Sequence, residues 1–305
     1  MVMAYGFTQY GDAGTQAMLD LPKPEPGPGQ ILVKVHAAGV NPVDWKIRSG
    51  LLSGAMTLQF PAVLGREVAG TVAALGPGVE RYEIGDEIFG NTGAEGGYTE
   101  YTLVRTDAIA RKPPTVSFID AAALPVASAT AYDAIEQLQL RAGDTLLING
   151  AGGGVGAAAT QIARYRGVGV VGTASAAKHG FVAALGAMPI TYGDGVAERL
   201  HEAAPNGVTA ILDLVGGDAL REVAGAANDS HLIVTTADPE TAASLGGAYI
   251  ERGTLADTLA RIAELAAHGS LSPHVQELFS LEQAGEALAA VESGHAQGKV
   301  VIEMM

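Results

Sequence analysis

The run INGAGGGVGAAATQIA, Ile148 to Ala163, sets five glycines among the seven residues from Gly150 to Gly156. A flexible linker is polar and indifferent to what flanks it. This run instead follows a short apolar stretch, Thr145 to Ile148, and leads into Val155, Ala157, Ala158 and Ala159, residues small enough to press a helix against a sheet. Strand, glycine turn and helix together form the context in which a backbone can approach a pyrophosphate and a helix N-terminus can face its charge. The strict G-x-G-x-x-G spacing is missed by one residue: aligned on Gly153 and Gly156, its first glycine falls on Ala151. A turn glycine tolerates a methyl where the backbone stays in an allowed region, whereas Gly153 must admit phosphate and Gly156 must admit the sheet. Ala151, Gly152, Gly153, Gly154, Val155 and Gly156 are therefore read as a phosphate cradle.

The end of the next strand decides which dinucleotide such a cradle takes. An Asp or Glu about twenty residues beyond the turn would hold the ribose hydroxyls of NAD and repel an added phosphate. Here the region reads GTASAAKHG, and no carboxylate occurs between Gly156 and Asp194. Ser175 and Lys178 stand where a 2′-phosphate would want a hydroxyl and a cation, which points to NADPH. The plainer reading of Lys178 is a solvated lysine at the start of a helix.

Around this element the texture of the chain changes once. Up to about residue 120, short apolar segments are separated by Gly and Pro, as in QILVKVHAAGV, EVAGTVAALG, DEIFG and YTEYTLVRTDAIA. Ile31, Val33 and Val35 alternate with Leu32, Lys34 and His36, as a half-buried strand requires, and the pattern fits a compact, partly open barrel. From about residue 127, strand-like and helix-like segments alternate, which favours a doubly wound parallel sheet of the α/β class. An amphipathic helix follows over TLADTLARIAELAAHG, then a second over SLEQAGEALAAVESG, where Ser280 and Gln283 have capping-box spacing. The strand-like KVVIEMM closes the chain and is expected to return to the first domain.

Composition narrows the chemistry. With no cysteine there is no disulfide, thiolate zinc site, iron-sulfur cluster or cysteine nucleophile. A net charge of -15, from 33 acidic and 18 basic residues, repels nucleic acid and requires any phosphate site to be built locally. No apolar run approaches the roughly 18 residues of a membrane span, and the start lacks a signal-like segment, so the expectation is a cytoplasmic protein without a membrane partner.

With these residues in view, the chain resembles the medium-chain dehydrogenase/reductase superfamily, specifically its zinc-free quinone oxidoreductase branch. The likeness is carried by GVNPVDWKIRSG, FPAVLGREVAGTV, YEIGDEIFG, GGYTEYTLV, LPVASATAYDAI, GAGGGVGAAATQIA, VGTASAAK and GHAQGKVVIEM, in this order. It implies a GroES-like β-barrel catalytic domain over 1–126 and 253–305, a Rossmann NADPH-binding domain over 127–252, and a cleft at their junction. Zinc-dependent relatives carry cysteine near Asn41 and histidine before Glu67, where this chain has Asn41 and Arg66. No catalytic metal is therefore expected. The reaction this leaves is hydride transfer from NADPH to a small molecule already electrophilic, a quinone or an α,β-unsaturated carbonyl.

The resemblance also implies residue roles. Asn41 lies near the nicotinamide, with Asp44 and Lys46 in the same loop, and these three are the catalytic candidates. Thr130 contacts the ribose or phosphate side, Tyr192 borders the adenosine phosphate with Ser175 and Lys178, and Lys299 reaches the cofactor from the last strand. Lys46 has two readings, an oxyanion partner or proton donor, and a surface lysine paired with Asp44. Arg66 and Glu67 are read as neighbours that pair. Two alternatives stand beside the leading function: a pathway-specific enoyl reductase of specialised metabolism, and a non-catalytic NADPH-binding sensor or structural protein. The segment between HLIVTTAD and AYIERG is shorter than in typical members, which leaves open a homodimer formed by that sheet edge.

Overall fold

The computed structural model describes residues 1–54, 56, 58–229, 232–294 and 296–304. They form two compact units, Met1–Val126 with Thr254–Ala267 and Pro273–Met305, and Ala127–Gly253 with His268–Ser272.

The first unit is strand-rich, as its short, turn-bounded apolar segments require. One sheet has three strands in the order Gln16–Leu21, Val2–Phe7, Ala62–Val63. The larger sheet runs Val275–Ser280, Lys299–Glu303, Gln30–Val40, Glu67–Leu75, Glu87–Asn91, Ile109–Arg111, with Tyr101–Arg105 also pairing with Gln30–Val40. The C-terminal strand does return to this unit: Val300 lies opposite Val40 and Glu303 opposite Ala37 in an antiparallel ladder. Val275–Ser280, which the sequence reading left unassigned, pairs parallel to it.

The alternation expected in Gln30–Val40 is only partly seen. Ile31, Val33 and Val35 enter the core, but Leu32 is buried as well. Part of its face is covered, because the helix Phe118–Ala122 packs on the strand and the Phe118 ring stacks on His36 with centroids 4.2 Å apart, while Lys34 stays exposed. His36 Nε2 also lies 3.0 Å from Thr71 Oγ1.

The second unit is built on six parallel strands in the order Met188–Thr191, Gly169–Ala174, Thr145–Asn149, Ala210–Asp213, Ile233–Thr235, Ala248–Tyr249. Renumbered along the chain this is 3-2-1-4-5-6, the doubly wound dinucleotide-binding order. Leu147, Val171, Ile190, Ile211, Ile233, Leu200 and Leu220 make its core. The helix expected over AAKHGFVAALG is split into a 3₁₀ turn, Ala176–Lys178, and the short helix His179–Ala184. The strand expected over SHLIVTT is confined to Ile233–Thr235, and its Ser230 and His231 lie outside the described residues. Among the described residues no helix is long and apolar enough to cross a membrane.

Candidate functional site

The glycine loop joins strand Thr145–Asn149 to helix Gly154–Tyr165. Gly150 takes the turn, with φ +98°, a conformation that side chains rarely adopt. This accounts for the displaced fingerprint: the positive φ falls one residue before Ala151, so Ala151 can carry its methyl, fully buried against Gly172. Gly156 is needed for packing, since a Cβ there would meet the Gly150 carbonyl oxygen at 2.5 Å and Ala151 Cα at 2.6 Å. A Cβ at Gly153 would meet nothing closer than 4.0 Å, so the space it faces is open. The first i to i−4 bond of the helix runs from Ala157 N–H to Gly153, and the N–H groups before it have no partner within the helix. Half-exposed Gly153, Gly154 and Val155 thus present donors at a helix N-terminus bordering open space, a cradle that fits a phosphate group.

A row of buried polar side chains fixes this loop from behind. Asp213, Asn149, Thr173 and Thr235 sit in register at the ends of four adjacent strands, and none is more than 2% exposed. Asp213 as a carboxylate can only accept. It takes Asn149 Nδ2 at 2.9 Å, the Gly216 N–H at 3.1 Å and the Thr235 hydroxyl at 2.6 Å. Asn149 is thereby oriented with Oδ1 toward Thr173, whose hydroxyl donates to it at 2.8 Å and accepts the Gly150 N–H at 2.9 Å. One carboxylate therefore sets the polarity of a chain that ends on the glycine turn.

Beside the loop, the stem of Lys178 lies over Gly152, where an added Cβ would meet Lys178 Cδ at 2.7 Å. Lys178 is half-buried, and burial lowers its pKa. Ser175 directly follows strand Gly169–Ala174, and Tyr192 is 57% exposed just past Met188–Thr191. Thr130, on helix Ala127–Leu138, is buried and its hydroxyl accepts from Arg252 at 2.9 Å.

A second polar cluster is buried in the first unit. Asn41 caps the helix Pro42–Arg48, and its N–H donates to Asp44 Oδ2 at 2.8 Å. Its side-chain amide is committed on both sides: Nδ2 donates to Glu67 Oε1 at 2.7 Å, and Oδ1 accepts from Lys299 Nζ at 2.6 Å. Lys299 also donates to Glu67 Oε1 at 2.7 Å and to the Val40 carbonyl at 3.2 Å, so three donors meet three acceptors. The second Glu67 oxygen accepts the Val126 N–H at 2.6 Å. Asp44 is fully buried, and its Oδ2 also accepts the Tyr98 hydroxyl at 2.9 Å while Oδ1 has no partner among the described residues. Burial pushes the Asp44 carboxyl up to about 7, against the lowering pull of the Asn41 and Tyr98 hydrogen bonds. Burial, with Asp44 beside it, holds the Tyr98 phenol well above its ordinary pKa, so it stays a donor.

Residues 27–114 match the alcohol dehydrogenase GroES-like domain family, and residues 185–302 match the zinc-binding dehydrogenase family. The chain is 41% identical over 156 residues to the quinone oxidoreductase of Homo sapiens, a match covering 51% of this chain and 47% of that protein. In that match the chain spans about half the length of its curated relative. It is 30% identical over 314 residues to the 2-methylene-furan-3-one reductase of Solanum lycopersicum, covering 98% of this chain and 78% of that protein. The structure of the quinone oxidoreductase from Coxiella burnetii superposes with a TM-score of 0.91 at 32% identity, covering 100% of this chain and 99% of the other.

The chain belongs to the medium-chain dehydrogenase/reductase superfamily, in its quinone oxidoreductase branch.

Against the background of this superfamily, two side chains differ from their sequence-based expectation. Arg66 does not pair with Glu67, which is taken by Lys299 and Asn41; its NH1 instead contacts Met56 Sδ at 3.7 Å. Lys46 does not pair with Asp44: it is exposed, with Nζ 5.7 Å from the Trp45 ring centroid. Lys299 is 4% exposed and holds Asn41 and Glu67 together. The sequence carried signals for both buried clusters. Glu67 and Lys299 each open an apolar run, EVAGTV and KVVI, where an isolated charge needs an opposite one. Asn149, Thr173, Asp213 and Thr235 each fall at or near the end of an apolar run.

Proposed function

We propose that this chain is an NADPH-dependent, zinc-independent oxidoreductase that reduces a quinone or an α,β-unsaturated carbonyl. The observation that carries the cofactor reading is the cradle from Ala151 to Gly156 with the Lys178 stem laid over Gly152, at a strand end that offers Ser175 instead of a carboxylate. Bound reduced nicotinamide supplies a hydride. The backbone of Gly152, Gly153, Gly154 and Val155 holds the pyrophosphate, and Ser175, Lys178 and Tyr192 receive the 2′-phosphate. Thr130, oriented by Arg252, serves the ribose or phosphate side.

Asn41, Asp44 and Lys46 are assigned to the acceptor side. Asn41 is held in one orientation by Lys299 and Glu67, and Asp44 retains a proton into the neutral range. A divalent metal does not fit at Asn41 and Glu67: the Lys299 ammonium lies 2.6 and 2.7 Å from their oxygens and would repel it, and no thiolate is available.

The test follows loss of reduced-nicotinamide absorbance with NADPH and NADH against quinones, enones and enals. Turnover with NADPH preferred is expected, and absence of turnover with every acceptor despite NADPH binding would sink the enzyme reading. Lys178→Glu is expected to reverse the preference toward NADH by placing a carboxylate beside the 2′ position; NADPH affinity unchanged in this variant would remove Lys178 from the site.

A further inference from the structure

Beside the buried cluster of the first unit lies a groove of about 460 Å³ walled by Leu21, Pro22, Pro24, Tyr101 and Leu103. Its volume falls within the range of small-molecule sites. Gln59, Thr99 and Thr102 also line it, and Glu95 is the one charged residue of the lining among the described residues, so the groove favours a neutral occupant over an anionic one. A second, inner chamber shares three lining residues with it, Leu58, Val63 and Ala94, and is closed by Asp44 and Arg66. The chamber, of about 10 Å³, has room for a single group the size of a water oxygen.

The inner chamber pairs two polar side chains whose bonding is incomplete. Asp44 is fully buried with Oδ1 unpartnered among the described residues. Arg66, half-buried, lines the same chamber, and its side-chain hydrogen bond among the described residues goes to the Met56 thioether, a weak acceptor. Its remaining N–H groups have no described side-chain acceptor, so they are available to a ligand oxygen. Apart from that thioether, the rest of the described chamber lining, Ile47 and Leu64 included, offers no side-chain acceptor.

We propose that groove and chamber form one binding site for a neutral carbonyl compound, with its body in the groove and its carbonyl oxygen in the chamber, hydrogen-bonded by Arg66. The proposal rests on the quinone or enone reading above and deepens it by naming the residue that meets the acceptor oxygen. Asp44 lines the same chamber and supplies its second polar group.

The test is equilibrium dialysis of 2-methyl-1,4-naphthoquinone against the full chain without reduced cofactor, with NADPH affinity measured in parallel. Arg66→Met, which keeps the length and removes the donors, is expected to weaken quinone binding about 10-fold or more while leaving NADPH affinity unchanged. Arg66→Lys is expected to recover part of it. Ala94→Phe, at an exposed position shared by groove and chamber, is expected to block binding without disturbing the core. Quinone binding that survives both Arg66→Met and Ala94→Phe overturns the site and leaves the proposed function standing, with a water molecule in the chamber. No quinone binding and no turnover by the unaltered chain overturns the proposed function as well.

Discussion

Replacing Lys299 with methionine removes the ammonium from the buried cluster and leaves Glu67 charged among apolar neighbours. The two side chains are 4% and 0% exposed, so water cannot take over the lost interaction. Deleting one member of such a pair costs roughly 3–5 kcal/mol. Glu67 would keep the Asn41 amide and the Val126 N–H as donors, which places the expected loss near the lower bound, about 3 kcal/mol. At about 2–4 °C per kcal/mol for a unit of this size, the melting temperature falls by roughly 6–12 °C. The cost comes from the stranded charge, so a second change should recover part of it. In Lys299→Met with Glu67→Gln, the glutamine oxygen still accepts the Val126 N–H, and its NH₂ replaces the oxygen that faced Asn41 Nδ2; the Asn41 amide turns over to offer Oδ1 to it, and Nδ2 gives up its acceptor. Urea and thermal unfolding of the wild type, both single variants and the double variant complete the cycle. The reasoning is refuted if Lys299→Met lies within about 1 kcal/mol of the wild type, or if the double variant is as unstable as the two single losses added.

Two further outcomes follow from the buried groups. Asp44 titrates at about 7 in the folded chain against an ordinary 3.8, so the native state holds a proton that the unfolded chain has lost between about pH 4 and pH 7. Its contribution to stability is present at low pH and is lost as pH rises through that window, by at most roughly 4 kcal/mol. The groups facing Asp44 are the Asn41 N–H, the Tyr98 hydroxyl, Glu67, Lys299 and Arg66. Asp44→Asn keeps an oxygen for the Asn41 N–H and the Tyr98 hydroxyl, and its unfolding midpoint should lack this pH dependence; a variant that declines in parallel with the wild type would assign the decline to another group. In the second unit, Thr173→Val leaves the Gly150 N–H and Asn149 Oδ1 unsatisfied and is expected to weaken NADPH binding about 10-fold, with Thr173→Ser restoring it. Calorimetric titration showing equal affinity for Thr173→Val and wild type would detach the polar row from the cradle.

Much of the fold was legible because it depends on local rules. Strand, glycine turn and small-residue helix over Thr145 to Ala163 identify a phosphate-binding βα unit, and the alternation that follows it forces a parallel sheet. Short turn-bounded strands mark the first unit, and the apolar opening of KVVIEMM marks a strand that must be buried somewhere. The split of the helix after Ser175 and the burial of Leu32 were not legible, because both follow from elements that pack on these segments and not from the segments themselves.

The sequence by itself determined the strand-turn-helix cradle, the missing carboxylate after Gly169–Ala174 and the absence of thiolates, since each is a property of residue type at fixed spacing. Only the tertiary structure decided which charges meet. Glu67 turned from its neighbour Arg66 to Lys299, 232 positions away, because a buried carboxylate takes the cation that the sheet register brings to it. It likewise moved the turn from Ala151 to Gly150, and brought Arg66 and Asp44 to line one chamber the size of an oxygen, since these depend on backbone angles and cavity shape that residue spacing does not encode.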